Sequence, residues 1–456
     1  MPCYSLSLFI FRRDLRLADN TGLNEALHLS GQVMPCFIFD PRQIEPHPYQ
    51  SRPGMRFMLQ SLDDLEAQLR AAGGTLASFE GEPAAVVKEL AQRYPIEAVF
   101  FNRDYTPFSK RRDRELETVC ADLRIPMRVY SDALLNEPEQ TLKGDGTPYK
   151  VFTAFYNRAR RLPVALPAAL AGRNFFAADF PSASPRLALA SGQSSGELQG
   201  GRSIGLDILD GLAQFRDYES HRNFPALNET THLSPHLKFG TCSVREAYYA
   251  IVEALGSEHP LARQLYWRDF FTHIAHHFPA VFGHAFLEKF DAVPWDNNED
   301  HFRAWCDGET GFPIVDAGMR ELNATGFMHN RVRMITASFL VKDLHIDWRW
   351  GERYFARHLV DYDPCVNNGN WQWAASTGCD AQPYFRIFNP WSQQRKFDTD
   401  CRYIRRWLPE LKQLSNESIH QWDKKHTEGA YPAPIVDHVR ASRIAKERFK
   451  NAAHQS

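Results

Sequence analysis

No two of the eight cysteines are spaced as C-x-x-C. That absence excludes the common zinc, iron–sulfur and redox spacings, and no disulfide framework is legible. A reducing cytoplasm is the expected compartment, with no metal. No G-x-G-x-x-G or Walker sequence follows a strand-like run, which excludes a plain dinucleotide or ATP site. No apolar run approaches the roughly 18 residues that cross a bilayer. The run Ser5–Phe11 meets Arg12, Arg13, Asp14 and Arg16 at once and lacks a signal-cleavage pattern, so it reads as a buried first strand. An excess of one charge is also missing. The net charge of −2 gives no global attraction to DNA, so a nucleic-acid role must rest on a local basic patch. There is no internal repeat and no heptad run.

The 456 residues suffice for about two or three domains, and 43% apolar with 24% charged residues describes an ordinary globular chain. Aromatics are plentiful, with ten Trp, which fits large cores, stacking surfaces or an electron path. Basic residues cluster at Arg331 and Arg333, at Arg402, Arg405 and Arg406, and from Arg440 to Lys450. Taken alone, such runs read as solvated helix faces.

Strand-like runs at Leu6–Phe11, Val33–Phe39, Leu76–Phe79 and Ala98–Asn102 alternate with helical stretches at Asn20–Leu29 and Gly54–Ala72. This alternation predicts an α/β domain over residues 1–135, a doubly wound, Rossmann-like parallel sheet with helices on both faces. Residues 136–205 read as an interdomain linker, with Ala, Pro and Leu over 162–171 and Ser, Gly and Pro over 182–201. From 206 to 456 apolar residues recur at three- and four-residue steps, as in Ala247–Leu255, Leu261–His277 and Val315–Leu322. A larger all-α domain is expected there.

Within it, Asn330, Arg333 and Met334 share one helical face at i, i+3 and i+4. The stretch Asp361–Asn370 is polar and reads as a turn. Its two carboxylates suit a buried cation such as Arg333, ribose hydroxyls or ring N–H groups, or an Asx-type turn. Trp371 and Trp373 follow, a core ring beside an edge ring. Gln264, Trp267 and Arg268 share a face of another helix, whose histidines (His273, His276, His277) lack the partners a metal needs. Thr230, Thr231, His232, Leu233 and Ser234, then Lys238, look like a hydroxyl-rich helix entry that suits a diphosphate or a plain N-cap.

Together these segments are more specific than any one of them. The opening Phe11-Arg12-Arg13-Asp14-Leu15-Arg16, then Trp267-Arg268-Asp269-Phe270, Gly311–Asp316, Met328–Met334, Asn367–Trp373 and Arg386–Pro390 occur in the order of the photolyase/cryptochrome family. The sequence resembles that family nearly end to end, most densely over 260–410, and within it the photolyases of cyclobutane pyrimidine dimers.

The resemblance implies FAD, active as FADH⁻, held in the helical domain. Tyr218, Thr230, Thr231, Leu233, Ser234 and Arg268 would meet its phosphates and sugar chain. Arg333 and Asp361 would pair beside the isoalloxazine, with Asp363 near ring and ribose and Asn367 facing N5. Trp371, Trp348 and Trp295 match the tryptophan chain that brings electrons to the flavin. Gln264, Trp267, Asn330, Met334 and Trp373 match the pocket for a flipped-out dimer, where aromatic walls meet exposed pyrimidine faces. Arg222, Arg331 and Arg386 match contacts to the DNA backbone, a local positive patch. The expected partner is ultraviolet-damaged DNA, double- or single-stranded. No membrane and no obligate protein partner are expected, and the protein would be nucleoid-associated when bound. Asp40, Asp104 and Lys238 resemble an antenna pocket of the 8-hydroxy-5-deazaflavin type more than the methenyltetrahydrofolate type.

Three features sort the family's branches. Plant cryptochromes carry Asp where Asn367 stands, and an amide suits a retained reduced flavin. (6-4) photolyases carry histidines at the places of Asn330 and Met334. The chain ends at Ser456, soon after the resembling stretch, so no signalling tail is expected. Repair of pyrimidine dimers is therefore expected, with a non-repairing cryptochrome photoreceptor or a (6-4) photolyase as alternatives. The sequence departs from the dimer photolyases at Gln264, where Glu is usual, and at Pro364, Val366 and Asn370.

Overall fold

The computed structural model describes residues 2–178, 180, 198–380, 386–426, 429 and 431–454. Most of the Ser-, Gly- and Pro-rich stretch expected as linker lies outside these residues.

Five strands form one parallel sheet: β1 (Tyr4–Phe11), β2 (Ser30–Phe39), β3 (Ala77–Glu80), β4 (Ala98–Asn102) and β5 (Met127–Tyr130), in the order β3-β2-β1-β4-β5. Leu8 sits opposite both Met34 and Val99. Alternate residues of β1 enter different cores. Phe9 and Phe11 pack with helices α1 (Thr21–Leu29) and α2 (Arg52–Ala71). Leu8 and Ile10 pack with α3 (Pro83–Arg93) and α4 (Pro107–Asp122). Both faces are thus covered, which is why these strands are near-continuous apolar runs. β5 was not expected from the sequence: it is a four-residue edge strand whose middle residues, Arg128 and Val129, are exposed. The order reverses between β1 and β4, so their carboxyl ends border the crevice where open α/β sheets bind ligands.

The stretch read as linker carries structure. Helix α5 (Phe152–Ala159) buries Phe152 and Phe155 against the helical domain. Further on, Phe175 bridges Val33 in parallel, lengthening the sheet beside β2. The two domains meet through a buried ion network in which Arg16 binds Asp132 at 2.6 Å and Arg245 binds both Asp19 (3.0 Å) and Asp132 (2.7 Å).

The helical domain is built around α6 (Ser234–Phe239), α7 (Val244–Leu255), α8 (Pro260–His277), α9 (Pro313–Thr325), α10 (Asn330–Lys342), α11 (Trp348–His358), α12 (Pro364–Ala375), α13 (Pro390–Phe397) and a last helix, α14 (His438–His454). Helix α12 packs on α8, α10 and α11. Two glycines permit that closeness. A Cβ on Gly369 would stand 2.1 Å from the Phe271 ring on α8, and one on Gly351 of α11 would stand 2.2 Å from the Trp371 ring. Among the described residues no helix is long and apolar enough to cross a membrane, and no group of three His, Cys, Asp or Glu is placed to hold a metal.

Candidate flavin and DNA site

Helix α10 carries the centre of the site. His329 caps it, its Nδ1 accepting from the Arg331 N–H. From one face Arg333 reaches Asp361 with both terminal nitrogens, at 3.2 and 3.1 Å, and Nε donates to the Met328 carbonyl at 2.7 Å. The Ser234 hydroxyl donates to the same Asp361 carboxylate at 2.6 Å. The expected Arg333–Asp361 pair therefore exists, and the Thr230–Ser234 segment reaches it. One turn from Arg333, the Asn330 amide lies 3.8 Å from the Met334 sulfur.

The segment before α6 differs from a plain cap. Leu233 is the N-cap residue and makes no side-chain cap bond, so the hydroxyls of Thr230 and Thr231 lie ahead of the helix. Thr231 accepts from the Leu233 N–H, while Thr230 Oγ1 and His232 Nδ1 are buried with no protein partner. Buried polar atoms are normally paired. An unpaired hydroxyl and an unpaired ring nitrogen beside an Arg–Asp pair fit a polar cofactor such as FAD. Tyr218, half-buried, lies tilted at 6.2 Å from the His259 ring and under Arg222. Arg268 donates to the backbone carbonyls of Ala133 and Leu237, tying the domains as well as lining this side.

The expected turn at Asp361–Asn370 is instead the approach to α12 and its first two turns. Pro364 takes the first helical position, and Asp363 caps the helix by accepting from the Cys365 and Val366 N–H groups. That accounts for Pro364, though nothing in the structure explains Val366; Asn370 spends its amide on the Val366 carbonyl. The other Asp363 oxygen takes a 2.5 Å bond from Arg13 of the α/β domain. Burial raises the Asp363 carboxyl, but Arg13, Lys238 and Arg268 outweigh it and hold it well below the usual range. Asp363 thus faces the domain junction as well as the flavin side.

Asn367 is buried and donates to the Glu352 carbonyl at 3.0 Å, with the Glu352 carboxyl oxygen at 3.5 Å. Burial pushes Glu352 up to about 7. Sequence reasoning missed this glutamate, because nothing in its local pattern marks it as buried. Trp371 and Trp348 are buried on α12 and α11, and Trp295 is partly exposed, edge-on to Phe449 of α14. Trp305, also missed, lies 6.3 Å from Trp371 and is fully buried.

On α8, Trp267 stacks flat on Phe152 of α5 at 3.6 Å. The Gln264 amide donates back to the Pro260 carbonyl at 3.3 Å. Trp373 is partly buried near the end of α12, packed at the edge of the core that holds Trp371. Arg331 donates to Asn223 and lies over the Phe397 ring at 4.5 Å. Burial lowers its pKa, and so do the charges of Arg222 and Arg386. The three expected backbone-binding arginines therefore share one field.

The antenna candidates divide. Asp104, just past β4, binds Arg13 at 3.4 Å. Burial raises its carboxyl, but Arg13, Arg112 and Lys238 hold it at about 2. Burial and then Arg13 lower Lys238 to about 8. Asp40 instead caps a short helical turn and is gripped by Arg42 at 2.7 Å.

Comparison with known proteins accords with this geometry. Residues 7–171 match the family model described as DNA photolyase, and residues 261–451 match the FAD binding domain of DNA photolyase. The deoxyribodipyrimidine photo-lyase of Alkalihalophilus pseudofirmus is 37% identical over 98% of this chain and 98% of that protein. An archaeal photolyase structure from Sulfolobus tokodaii, with two FAD molecules, superposes with a TM-score of 0.90 at 45% identity, covering 98% of this chain and 100% of that one. A Synechocystis cryptochrome structure also reaches 0.90, at 29% identity over 98% and 99% of the two chains.

Proposed function

The chain belongs to the DNA photolyase family, and from that membership we propose that this FAD-binding enzyme repairs cyclobutane pyrimidine dimers in DNA. One observation carries the choice of lesion. The face of α10 beside the Arg333–Asp361 pair presents the Asn330 amide and the Met334 thioether, neither of which is an acid. The adjacent His329 is no substitute. Burial, with Arg333 and Arg331, lowers it to about 4, so it is neutral at pH 7. A reaction that needs proton donation to the lesion lacks its acid here, whereas splitting a dimer by an electron lent to it and then returned needs none.

When bound in reduced form, FAD supplies the light-excited electron and takes it back. The residues do the rest. Thr230, Thr231, Ser234 and Tyr218 hold the sugar–phosphate chain, with Leu233 and Arg268 closing that side. Arg333 and Asp361 would hold the ring system, and Asn367, oriented by Glu352, would offer its side-chain amide to it. Asn330 and Gln264 offer amides to the pyrimidine carbonyls, where added electron density is stabilised by fixed dipoles. Trp267, braced by Phe152, and Trp373 supply stacking walls, and Met334 adds an apolar surface beside Asn330. Arg222, Arg331 and Arg386 neutralise phosphates around the flipped base. Trp371, Trp348 and Trp295 carry electrons inward from a surface reductant. Gln264 keeps the hydrogen bond of the usual glutamate but cannot give a proton. The crevice at Arg13, Asp104 and Lys238 takes an aromatic antenna, 8-hydroxy-5-deazaflavin or a second flavin.

The test is repair of a thymine-dimer duplex by the reduced holoenzyme under blue light, alongside a (6-4) duplex. Loss of dimers alone is the expected result. Loss of only the (6-4) lesion, or of neither, overturns the reading, the last in favour of a photoreceptor.

A further inference from the structure

Arg386 lies far along the chain from Arg331 and Arg222, on a segment with no regular secondary structure. An irregular segment needs side-chain anchors to hold a fixed direction. Two residues of α10, one turn apart, supply them. Ser338 Oγ accepts from the Phe388 N–H at 3.3 Å. Lys342, four residues on, donates from Nζ to the Arg386 carbonyl. The same ammonium donates at 2.8 Å to the hydroxyl of Ser376, the left-handed residue that ends α12. Both anchors are buried, Ser338 completely and Lys342 to 1% exposure. A fully buried lysine is rare unless its charge has a purpose or a partner.

We propose that Lys342, seconded by Ser338, is a positioning residue for DNA: it pins the Arg386 segment so that Arg386 joins Arg222 and Arg331 in one phosphate-binding patch. The inference rests on the repair function proposed above. Two features of the geometry favour an ammonium in this place. It sits at the C-terminal ends of α10 and α12, where helix dipoles favour a cation. Its several N–H groups bridge two acceptors on different segments, a junction that no apolar side chain makes. The end of α10 that lines the flavin and the end that holds the DNA segment thus belong to one rigid rod.

The charge of the anchor is sensitive to pH. Burial lowers Lys342 to about 7, Asp343 opposes the shift and Arg386 adds to it. Asp343 is in turn bound by His438 of α14 and feels His345. The ammonium is present below about pH 7 and lost as the pH rises through it, so the pin weakens on the alkaline side.

The experiment uses FAD-loaded protein and a thymine-dimer duplex, with affinity measured over a salt series for wild type, Lys342→Met, Lys342→Arg, Arg386→Ala and the double variant Lys342→Met/Arg386→Ala. Lys342→Met should lose the same fold in affinity as Arg386→Ala and lower the log–log salt slope by about 0.9, one phosphate contact. The double variant should lose no more than either single variant. FAD content and absorption should be unchanged, and Lys342→Arg should restore binding. Between about pH 6 and about pH 8.5 wild type should lose more affinity than Lys342→Arg, an arm that holds even where Lys342→Met fails to fold. Additive losses, an unchanged salt slope, or identical pH profiles for wild type and Lys342→Arg overturn the inference alone. An Arg386→Ala protein that binds like wild type removes its premise. A wild type that binds but does not repair removes the functional reading instead.

Discussion

The flavin side and the proposed antenna side of this molecule differ in how far the protein satisfies itself. On the flavin side Thr230 Oγ1 and His232 Nδ1 are buried without a protein partner, next to the Arg333–Asp361 pair. On the antenna side Arg13 Nε is also buried without a partner, but the carboxylates are already matched, Asp104 by Arg13 and Asp40 by Arg42. A site with orphaned polar atoms is completed by its ligand, and folding is coupled to occupancy. A site closed by its own ion pairs is stable either way, and its ligand is an addition.

The largest effect should come from the flavin side. Removing FAD should lower stability by about 3 kcal/mol relative to protein at a hundredfold excess over Kd. Arg333→Met should cost a similar amount, about 3 kcal/mol, in FAD affinity, because the mostly buried Asp361 carboxylate loses its cation and is left with the Ser234 hydroxyl. Thermal unfolding with and without FAD checks the first, and FAD titration the second. If loss of the antenna shifts Tm as much as loss of FAD, the contrast between the sites fails.

A smaller loss is expected from Gly351→Val, about 2 kcal/mol, since the new side chain meets Trp371 and forces α11 from α12. Thermal unfolding of the FAD-loaded protein measures it, and slower photoreduction of the flavin should accompany it if Trp348 and Trp371 hand on electrons. Trp373→Ala should weaken dimer binding by about 1–3 kcal/mol, on the scale of base–aromatic stacking. Equal affinity for the dimer duplex in a direct titration would remove Trp373 from the pocket wall.

The smallest effect lies at the antenna side and depends on pH. Asp104 is held near 2 in the folded protein, below the ordinary carboxylate value of about 4. Its stabilisation is present above that ordinary value and lost as the pH falls from about 4 towards 2. Wild-type Tm should therefore drop over that window by more than the Tm of Asp104→Asn, with FAD content of both unchanged at neutral pH. Equal drops would show that the Arg13–Asp104 contact contributes nothing.

Much of the fold was legible because burial on two faces leaves an unmistakable record. β1, β2 and β4 are apolar runs, and the helices between them begin at caps such as Asn20 and Ser51. The edge strand β5 escaped notice because an edge need not be apolar, and two of its four residues face solvent. Helix α5 escaped because its eight residues are too few to show a period against a Pro-rich flank. The misreading at Asp361–Asn370 is more instructive. Asn, Gly and Pro favour turns locally, yet Asn367 and Asn368 are buried in α12, their amides donating to the Glu352 and Val281 carbonyls. Tertiary hydrogen bonds override a weak local preference. At the site, the facing of Asn330, Arg333 and Met334 was readable from helical spacing alone. The contacts of Glu352, Phe152, Arg13 and Lys342 were not, since each joins residues from distant parts of the chain.

What the sequence by itself determined was the division into a parallel α/β sheet and a helical domain, together with the chemical types lining α10. Both are written in local periodicity, which one strand or one helix expresses alone. Only the tertiary structure decided which acids stay charged, which polar atoms wait for a ligand and which side chain anchors Arg386. Those outcomes depend on desolvation and on partners brought together from far apart in the chain, and no local pattern encodes either.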